Sequence, residues 1–269
     1  MQKNIIRRGV LQAGVVAPLA FAGPAGAQSS GSAKTYVLVH GSWCGGWFFD
    51  PVADHLREAG HRVLTPTQTG LGERKHLLSK DITLQTFIED ISNVIEWEEL
   101  HDVILVGHSS AGGPITGVVD RMPDRVRHVV YLDAIILQNG QSFFSASSPD
   151  VAATRRKQAQ EVAGTSVIPP PLKVLESFLG IRDASVQDWF KRRMTPHPIA
   201  TYETPLKLNT PTIGAGRPCT FVAFTGPGPE PSRQWAKSQP GWKWTEVKSG
   251  HAAPVIVPEQ VSQVLDEIA

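Results

Sequence analysis

The chain has 269 residues, 41% of them hydrophobic, enough to bury one sizeable core and to carry an insertion on it. Its 26 Lys and Arg nearly balance its 25 Asp and Glu, which excludes the basic footprint that a phosphate backbone demands, so no nucleic-acid partner is expected. Two cysteines are too few for a disulfide framework, and no Cys/His spacing suggests a metal site.

Residues 1–27 differ in composition from the rest. Lys3, Arg7 and Arg8 precede the apolar run GVLQAGVVAPLAFAG, and Ala25-Gly26-Ala27 then offers a small-residue cleavage site before Gln28. This pattern predicts an export signal of the twin-arginine type, and with it a periplasmic or secreted protein. The run is shorter than the roughly 20 residues a membrane span needs, so no stable anchor is expected.

From Thr35 onward, apolar runs alternate with amphipathic ones. TYVLVHG (35–41), HRVLTPT (61–67), DVILVGHS (102–109), VRHVVYLDA (126–134), CTFVAFTG (219–226) and WKWTEVKSGH (242–251) are near-continuously apolar, as strands covered on both faces must be. Between them FDPVADHLREAG has Pro51 near its start and Gly60 past its end. TLQTFIEDISNVIEWEEL puts Leu84, Phe87, Ile88, Ile91, Val94 and Ile95 on one stripe, and PEQVSQVLDEIA opens on Pro258. Strand and helix in alternation predict an α/β fold with a mostly parallel sheet flanked by helices. Cys44 follows one predicted strand and Cys219 precedes another, at opposite ends of that sheet, so both are expected to be free and buried.

The alternation breaks over about 135–208, where no strand is predicted and the proline-rich SVIPPPLK and TPHPIATYETP frame two short helical runs, KVLESFLG and VQDWFKRR. A helical cap inserted into the core accounts for this. The expected organisation is therefore a signal over 1–27, a first core part over 28–134, a cap over 135–208 and a second core part over 209–269.

The stretch LVGHSSAGG (105–113) ends a predicted strand and opens a helix. Gly107-His108-Ser109-Ser110-Ala111 reads as a nucleophile elbow, in which small neighbours let a tight turn expose the serine oxygen. Read on Ser110 instead, the motif places bulky His108 where the turn needs a small residue. Ser109 is therefore the expected nucleophile. A serine hydroxyl needs a histidine to take its proton, and His251, in SGHAAP after the last strand and before the last helix, has the chain order of such a base.

Together with VLVHGSWCGGW (37–47), TPTQTGLGERKHL (65–77), ITGVVDRMPDRVRHVVYLDA (115–134), TPHPIATYETPLKL (195–208) and SGHAAPVIVPE (249–259), this stretch resembles the α/β-hydrolase superfamily. Within it the likeness is to bacterial pyrethroid-type carboxylesterases, related to plant methyl esterases and hydroxynitrile lyases. The resemblance covers nearly everything after the signal. It implies a GHS-x-GG pattern followed by ITGV, with Ser110 at the variable position and Ala111 where glycine is usual, and it supports Ser109 and His251 as catalytic.

The acid departs from that pattern. The plant members carry an aspartate after the strand that here is CTFVAFTG, but the loop TGPGPEP offers only Glu230. Asp133, ending VRHVVYLDA, is the expected acid, with Glu230 as the alternative. The oxyanion hole is expected from the backbone N–H groups of Ser42 and Ser110, because a tetrahedral intermediate needs donors aimed at its oxygen. Trp43, Trp189 and His197 are the expected substrate-pocket residues, and Trp47 the expected core residue.

The resulting expectation is an exported serine hydrolase that cleaves small-molecule carboxylic esters with apolar or aromatic groups through an acyl-enzyme on Ser109, with no cofactor. Two alternatives stay open: a hydroxynitrile-lyase-like enzyme, disfavoured by Ala252 where the lyases carry lysine, and a non-catalytic small-molecule-binding protein on the same scaffold.

Overall fold

A computed structural model describes residues 32–268, and the expected export signal lies outside the described residues. All six anticipated strands form: β1 (Thr35–Val39), β2 (Arg62–Leu64), β3 (Val103–His108), β4 (Val126–Leu132), β8 (Cys219–Phe224) and β9 (Lys243–Val247). They make one parallel sheet in the order β2-β1-β3-β4-β8-β9. The continuous apolar runs of the central strands follow from coverage on both sides, whereas the edge strands β2 and β9, read from sequence as covered on both faces, are partly exposed. Tyr36 and Leu38 of β1 point to one face and Val37 and Val39 to the other, all fully buried.

On one face α1 (Asp50–Glu58), the single-turn α8 (Ala253–Ile256) and the closing α9 (Pro258–Ile268) bury Leu56, Ala253 and Leu265 against Leu38 and Val106. On the other face α2 (Leu84–Trp97), α3 (Gly112–Arg121) and α7 (Glu230–Ser238) cover Val37, Leu105 and Tyr131. The predicted stripe of α2 holds, with Leu84, Phe87, Ile88, Ile91 and Ile95 buried and Val94 half-buried. Its start is set by Thr83 and Thr86, whose side chains reciprocally bond each other's backbone N–H in a capping box. Cys44 and Cys219 are both free and buried. Among the described residues no helix is long and apolar enough to cross a membrane.

The segment 135–208 differs from the sequence reading. It holds α4 (Pro149–Lys157), α5 (Ala184–Arg193) and α6 (Ala200–Glu203), but also three short strands, β5 (Gln160–Val162), β6 (Thr165–Ile168) and β7 (His197–Pro198). These pair antiparallel in the order β5-β6-β7. Strands of three, four and two residues are too short to display a period of two, and β5 is exposed throughout. The readable signal was the turn between them, Ala163-Gly164, both at positive φ as a two-residue hairpin requires. KVLESFLG is not an α-helix either. After Pro169–Pro171 it makes a 3-10 turn, Leu172–Val174, and further hydrogen-bonded turns that end at Gly180, whose φ is +78°.

Candidate active site

The chain runs from β1 outward to β2 and returns across β1 to β3. The carboxyl ends of β1 and β3 therefore flank a topological switch point, where an open α/β sheet leaves a crevice for ligands. The loop after β1 brings Ser42 there, and the turn after β3 brings Ser109 and Ser110.

Ser109 has φ +57°, in the left-handed region, and stands half-exposed while Ser110 is buried. The turn is tight because its neighbours are small. A Cβ on Gly107 would lie 2.7 Å from Ile115 Cδ1, and one on Gly41 would lie 2.8 Å from the Ser109 Cβ. A Cβ on Gly112 would lie 2.2 Å from the Ile135 carbonyl oxygen, and the Ile135 N–H donates to the Ser109 carbonyl at 2.8 Å. Ser42 Oγ bridges Ser110 Oγ at 2.7 Å and Tyr202 Oη at 2.6 Å. Side-chain bonds thus hold together the two loops that carry the expected amide donors. The sequence reading missed Tyr202, although it lies within the quoted TPHPIATYETPLKL.

Asp133 follows β4 with φ +46° and is wholly buried. The His251 Nδ1–H donates to its Oδ2 at 2.7 Å. Its Oδ1 accepts from Arg233 Nε at 3.0 Å and Nη2 at 2.8 Å. Glu230, the alternative acid, is corrected by its position. It opens α7 as an exposed residue and pairs with the far side of the Arg233 guanidinium at 3.8 Å, so the arginine stands between it and the Asp133–His251 pair. Arg233 was also missed; no local motif marks a residue that acts a hundred positions from its partner.

His251 is 4% exposed and its loop is held from two sides. Its N–H donates to the Phe178 carbonyl and the Ala252 N–H to the Leu179 carbonyl, at 3.2 and 3.0 Å, while the Phe178 ring packs 4.7 Å from the imidazole. From the elbow side His108 Nε2–H donates to the His251 carbonyl at 2.8 Å, and its ring stacks on Phe48 at 4.7 Å. Burial, reinforced by the His251 ring beside it, lowers the His108 pKa well below its ordinary value, so this second imidazole stays neutral.

The expected pocket residues divide. Trp43, beside Ser42, is half-buried at φ +64°; its indole N–H donates to the Ile168 carbonyl at 3.0 Å and Arg155 lies 5.1 Å from its ring centre. His197 is corrected. It is 1% exposed, its Nδ1 accepts from the Trp43 N–H at 3.4 Å, and its Nε2–H donates to Thr201 Oγ1 at 2.9 Å. Both nitrogens are engaged, burial brings its pKa down to about 3, and it acts as a neutral strut between cap and core. Trp189 is half-buried, with edge-on contact to Trp47 at 4.9 Å, a tilted contact to Phe190 at 5.8 Å and Arg193 over its face. Trp47, the expected core residue, is half-buried and packs against the core cluster. A cleft of about 1060 Å³ lies behind the histidine loop, lined by Phe178, Ile181, Val186, Gly226, Gly250 and Ile256, and none of Ser109, Asp133 or His251 opens onto it.

The fold is a parallel α/β sheet with a polar cluster at the carboxyl ends of its strands. Over residues 36–264 it matches the alpha/beta hydrolase family, and the chain belongs to that family. A carbendazim hydrolyzing esterase of Nocardioides sp. (strain SG-4G) is 39% identical over 250 residues, covering 86% of this chain and 97% of that one. Methylesterase 10 of Arabidopsis thaliana is 26% identical over 87% of this chain and 91% of its own length. Among solved structures, an extracellular alpha/beta-hydrolase from a Paenibacillus species superposes with a TM-score of 0.76 at 24% identity, over 87% of this chain and 98% of that one, and shares the fold. The protein is an enzyme, a hydrolase of the carboxylesterase type.

Proposed function

We propose that the chain is an exported serine esterase that cleaves small-molecule esters bearing apolar or aromatic groups through an acyl-enzyme on Ser109. The observation that carries this reading is the 2.7 Å hydrogen bond from His251 to buried Asp133, on a loop that His108, the residue before the left-handed Ser109, ties to the elbow through the His251 carbonyl. Asp133 fixes the imidazole with its proton on Nδ1, which leaves Nε2 basic. In this reading Ser109 Oγ attacks the ester carbonyl and gives its proton to Nε2. The amides of Ser110 and Ser42 stabilise the developing oxyanion. His251 then protonates the departing alcohol, and water, activated by the same imidazole, releases the acid.

Trp43 forms the wall beside the oxyanion loop, and the buried Phe144 and half-buried Tyr202 around it support an apolar acyl or alcohol group. The relative named for carbendazim hydrolysis makes carbendazim the natural third substrate after a short-chain and a long-chain p-nitrophenyl ester. The chain starting at Gln28 is assayed on all three beside Ser109→Ala, Ser110→Ala and Asp133→Asn. The expected outcome is that Ser109→Ala abolishes turnover, Asp133→Asn lowers it by about 10⁴-fold and Ser110→Ala retains most of it. Loss with Ser110→Ala and survival with Ser109→Ala would reassign the nucleophile. Folded but inactive wild-type protein would favour a binding role. Export is tested separately, by replacing Arg7 and Arg8 with lysine and following the protein between cytoplasm and periplasm.

A further inference from the structure

The Asp133 carboxylate is a charge with no exposed surface, 0% by area, and a buried charge persists only where it is paired and hydrogen-bonded. Among the described residues the ion pair it makes with a guanidinium is to Arg233, whose side chain is 12% exposed. The guanidinium is held before it reaches the aspartate: its Nη2 donates to the Phe224 and Gly226 carbonyls, the latter at 3.1 Å, and Glu230 lies 3.8 Å from Nη1. Thus fixed, it presents Nε and Nη2 together to Oδ1, which is also approached by the Phe224 N–H at 3.4 Å. With Oδ1 saturated, Oδ2 is left as the acceptor for the imidazole.

Gly228 is what admits this arrangement. A Cβ there would lie 2.2 Å from Arg233 Nη2 and 2.8 Å from Asp133 Oδ2, so any side chain in that loop displaces the guanidinium or the carboxylate. The arginine and the glycine together select which oxygen and which direction the histidine meets.

We propose that Arg233 is a positioning residue of the hydrolytic site: it pairs with Asp133 through one carboxylate oxygen and so aims the other at His251 Nδ1. This rests on the serine-esterase reading above and adds to it a residue on α7 that touches neither substrate nor serine. A fork-shaped guanidinium is needed, because an ammonium supplies the charge without the paired donors.

The test compares Arg233→Ala and Arg233→Lys, each alone and combined with Asp133→Asn, on the p-nitrophenyl ester that the wild type turns over best. Misplacement of a catalytic group by about 1 Å costs on the order of 10²-fold. Arg233→Ala is expected to lower kcat by roughly that factor with KM within about threefold, and Arg233→Lys is expected to fall between it and the wild type. Millimolar guanidinium, and not tetramethylammonium, should restore part of the activity of Arg233→Ala. In the Asp133→Asn background Arg233→Ala should cost little more, since the arginine acts through the aspartate. Wild-type kcat in a folded Arg233→Ala variant overturns the proposal. An equal loss in both backgrounds does so too, because it makes the arginine a strut, as does failure of both Arg233 variants to fold. Survival of activity in Ser109→Ala would instead overturn the underlying esterase reading, so the two failures are distinguishable.

Discussion

Ser109 stands at φ +57°, where the Cβ of an L-residue crowds the following carbonyl oxygen at a cost of roughly 1–2 kcal/mol. The turn persists because Gly41, Gly107 and Gly112 leave space that no side chain could share, and because the Ile135 N–H ties down its carbonyl. Replacing the serine by glycine removes the strain along with the hydroxyl. Ser109→Gly is expected to be inactive and yet more stable by about 1 kcal/mol, a rise in Tm of roughly 2–4 °C for a domain this size. A lowered Tm by calorimetry would mean that the serine side chain contributes packing that outweighs its backbone cost. The elbow was readable in the sequence because its steric rule acts within five residues, Gly107 to Ala111. The acid was not resolved, since Asp133 and Glu230 both follow strands and only the neighbouring loop separates them in space. His197 was misread for a related reason: a polar side chain in the 135–208 segment has the same local pattern whether it faces a crevice or is buried with both ring nitrogens bonded.

At the level of elements, two contacts set the frame around the elbow. Helix α3, which begins right after it, packs against α2 at Gly117, where an added Cβ would lie 2.4 Å from Ile88 Cδ1. Gly117→Ala gains up to about 1 kcal/mol of helix propensity but overfills this contact, a cost of typically 1–3 kcal/mol. A net loss of about 1 kcal/mol is expected. Ile88→Val removes the methyl at 2.4 Å and leaves Cγ1 at 2.9 Å, so the double variant should be more stable than the two single losses predict, by about 0.5 kcal/mol in urea unfolding. Strict additivity would show that the helices separate rather than clash. The second contact joins cap and core. Gly180 and Gly250 approach so closely that a Cβ on Gly250 would lie 2.7 Å from the Gly180 Cα, and the backbone bonds from His251 and Ala252 run to the same cap turn. The cap segment 178–180 therefore fixes the loop that carries the histidine. Long periodic elements such as α2 were legible because fourteen residues display their buried stripe. The segment 135–208 was legible only as a break in the pattern, since strands of two to four residues and a turn ruled by prolines carry no period to read.

For the whole molecule, the sheet that brings three strand ends together also buries an unusual set of imidazoles. Burial lowers His40 and His128 to about 4 and His197 to about 3, with His108 held well below its ordinary value. Their hydrogen bonds suit the neutral form: His40 accepts from the Gln68 N–H at 3.1 Å and lies 2.8 Å from the Gly41 carbonyl, and His128 meets Thr220 across β4 and β8 at 2.8 Å. In the unfolded chain the same groups take up protons near pH 6.5. Between that pH and the folded values near 4 and 3, the unfolded state binds more protons, so stability rises with pH and is lost as pH falls through the window. Each such group contributes about 1.4 kcal/mol per pH unit once its unfolded form is protonated. A few together are enough to exhaust a stability of about 5–15 kcal/mol within two or three units. The urea midpoint, followed by the fluorescence of the tryptophans, is therefore expected to be level above pH 7.5 and to fall steeply from pH 6.5 to 4.5. His128→Gln keeps a polar partner within reach of Thr220 but takes up no proton, and it should flatten that slope by about one proton's worth. A midpoint that stays level down to pH 5 would mean that these imidazoles are protonated within the fold, and that their surroundings are wetter than their burial implies.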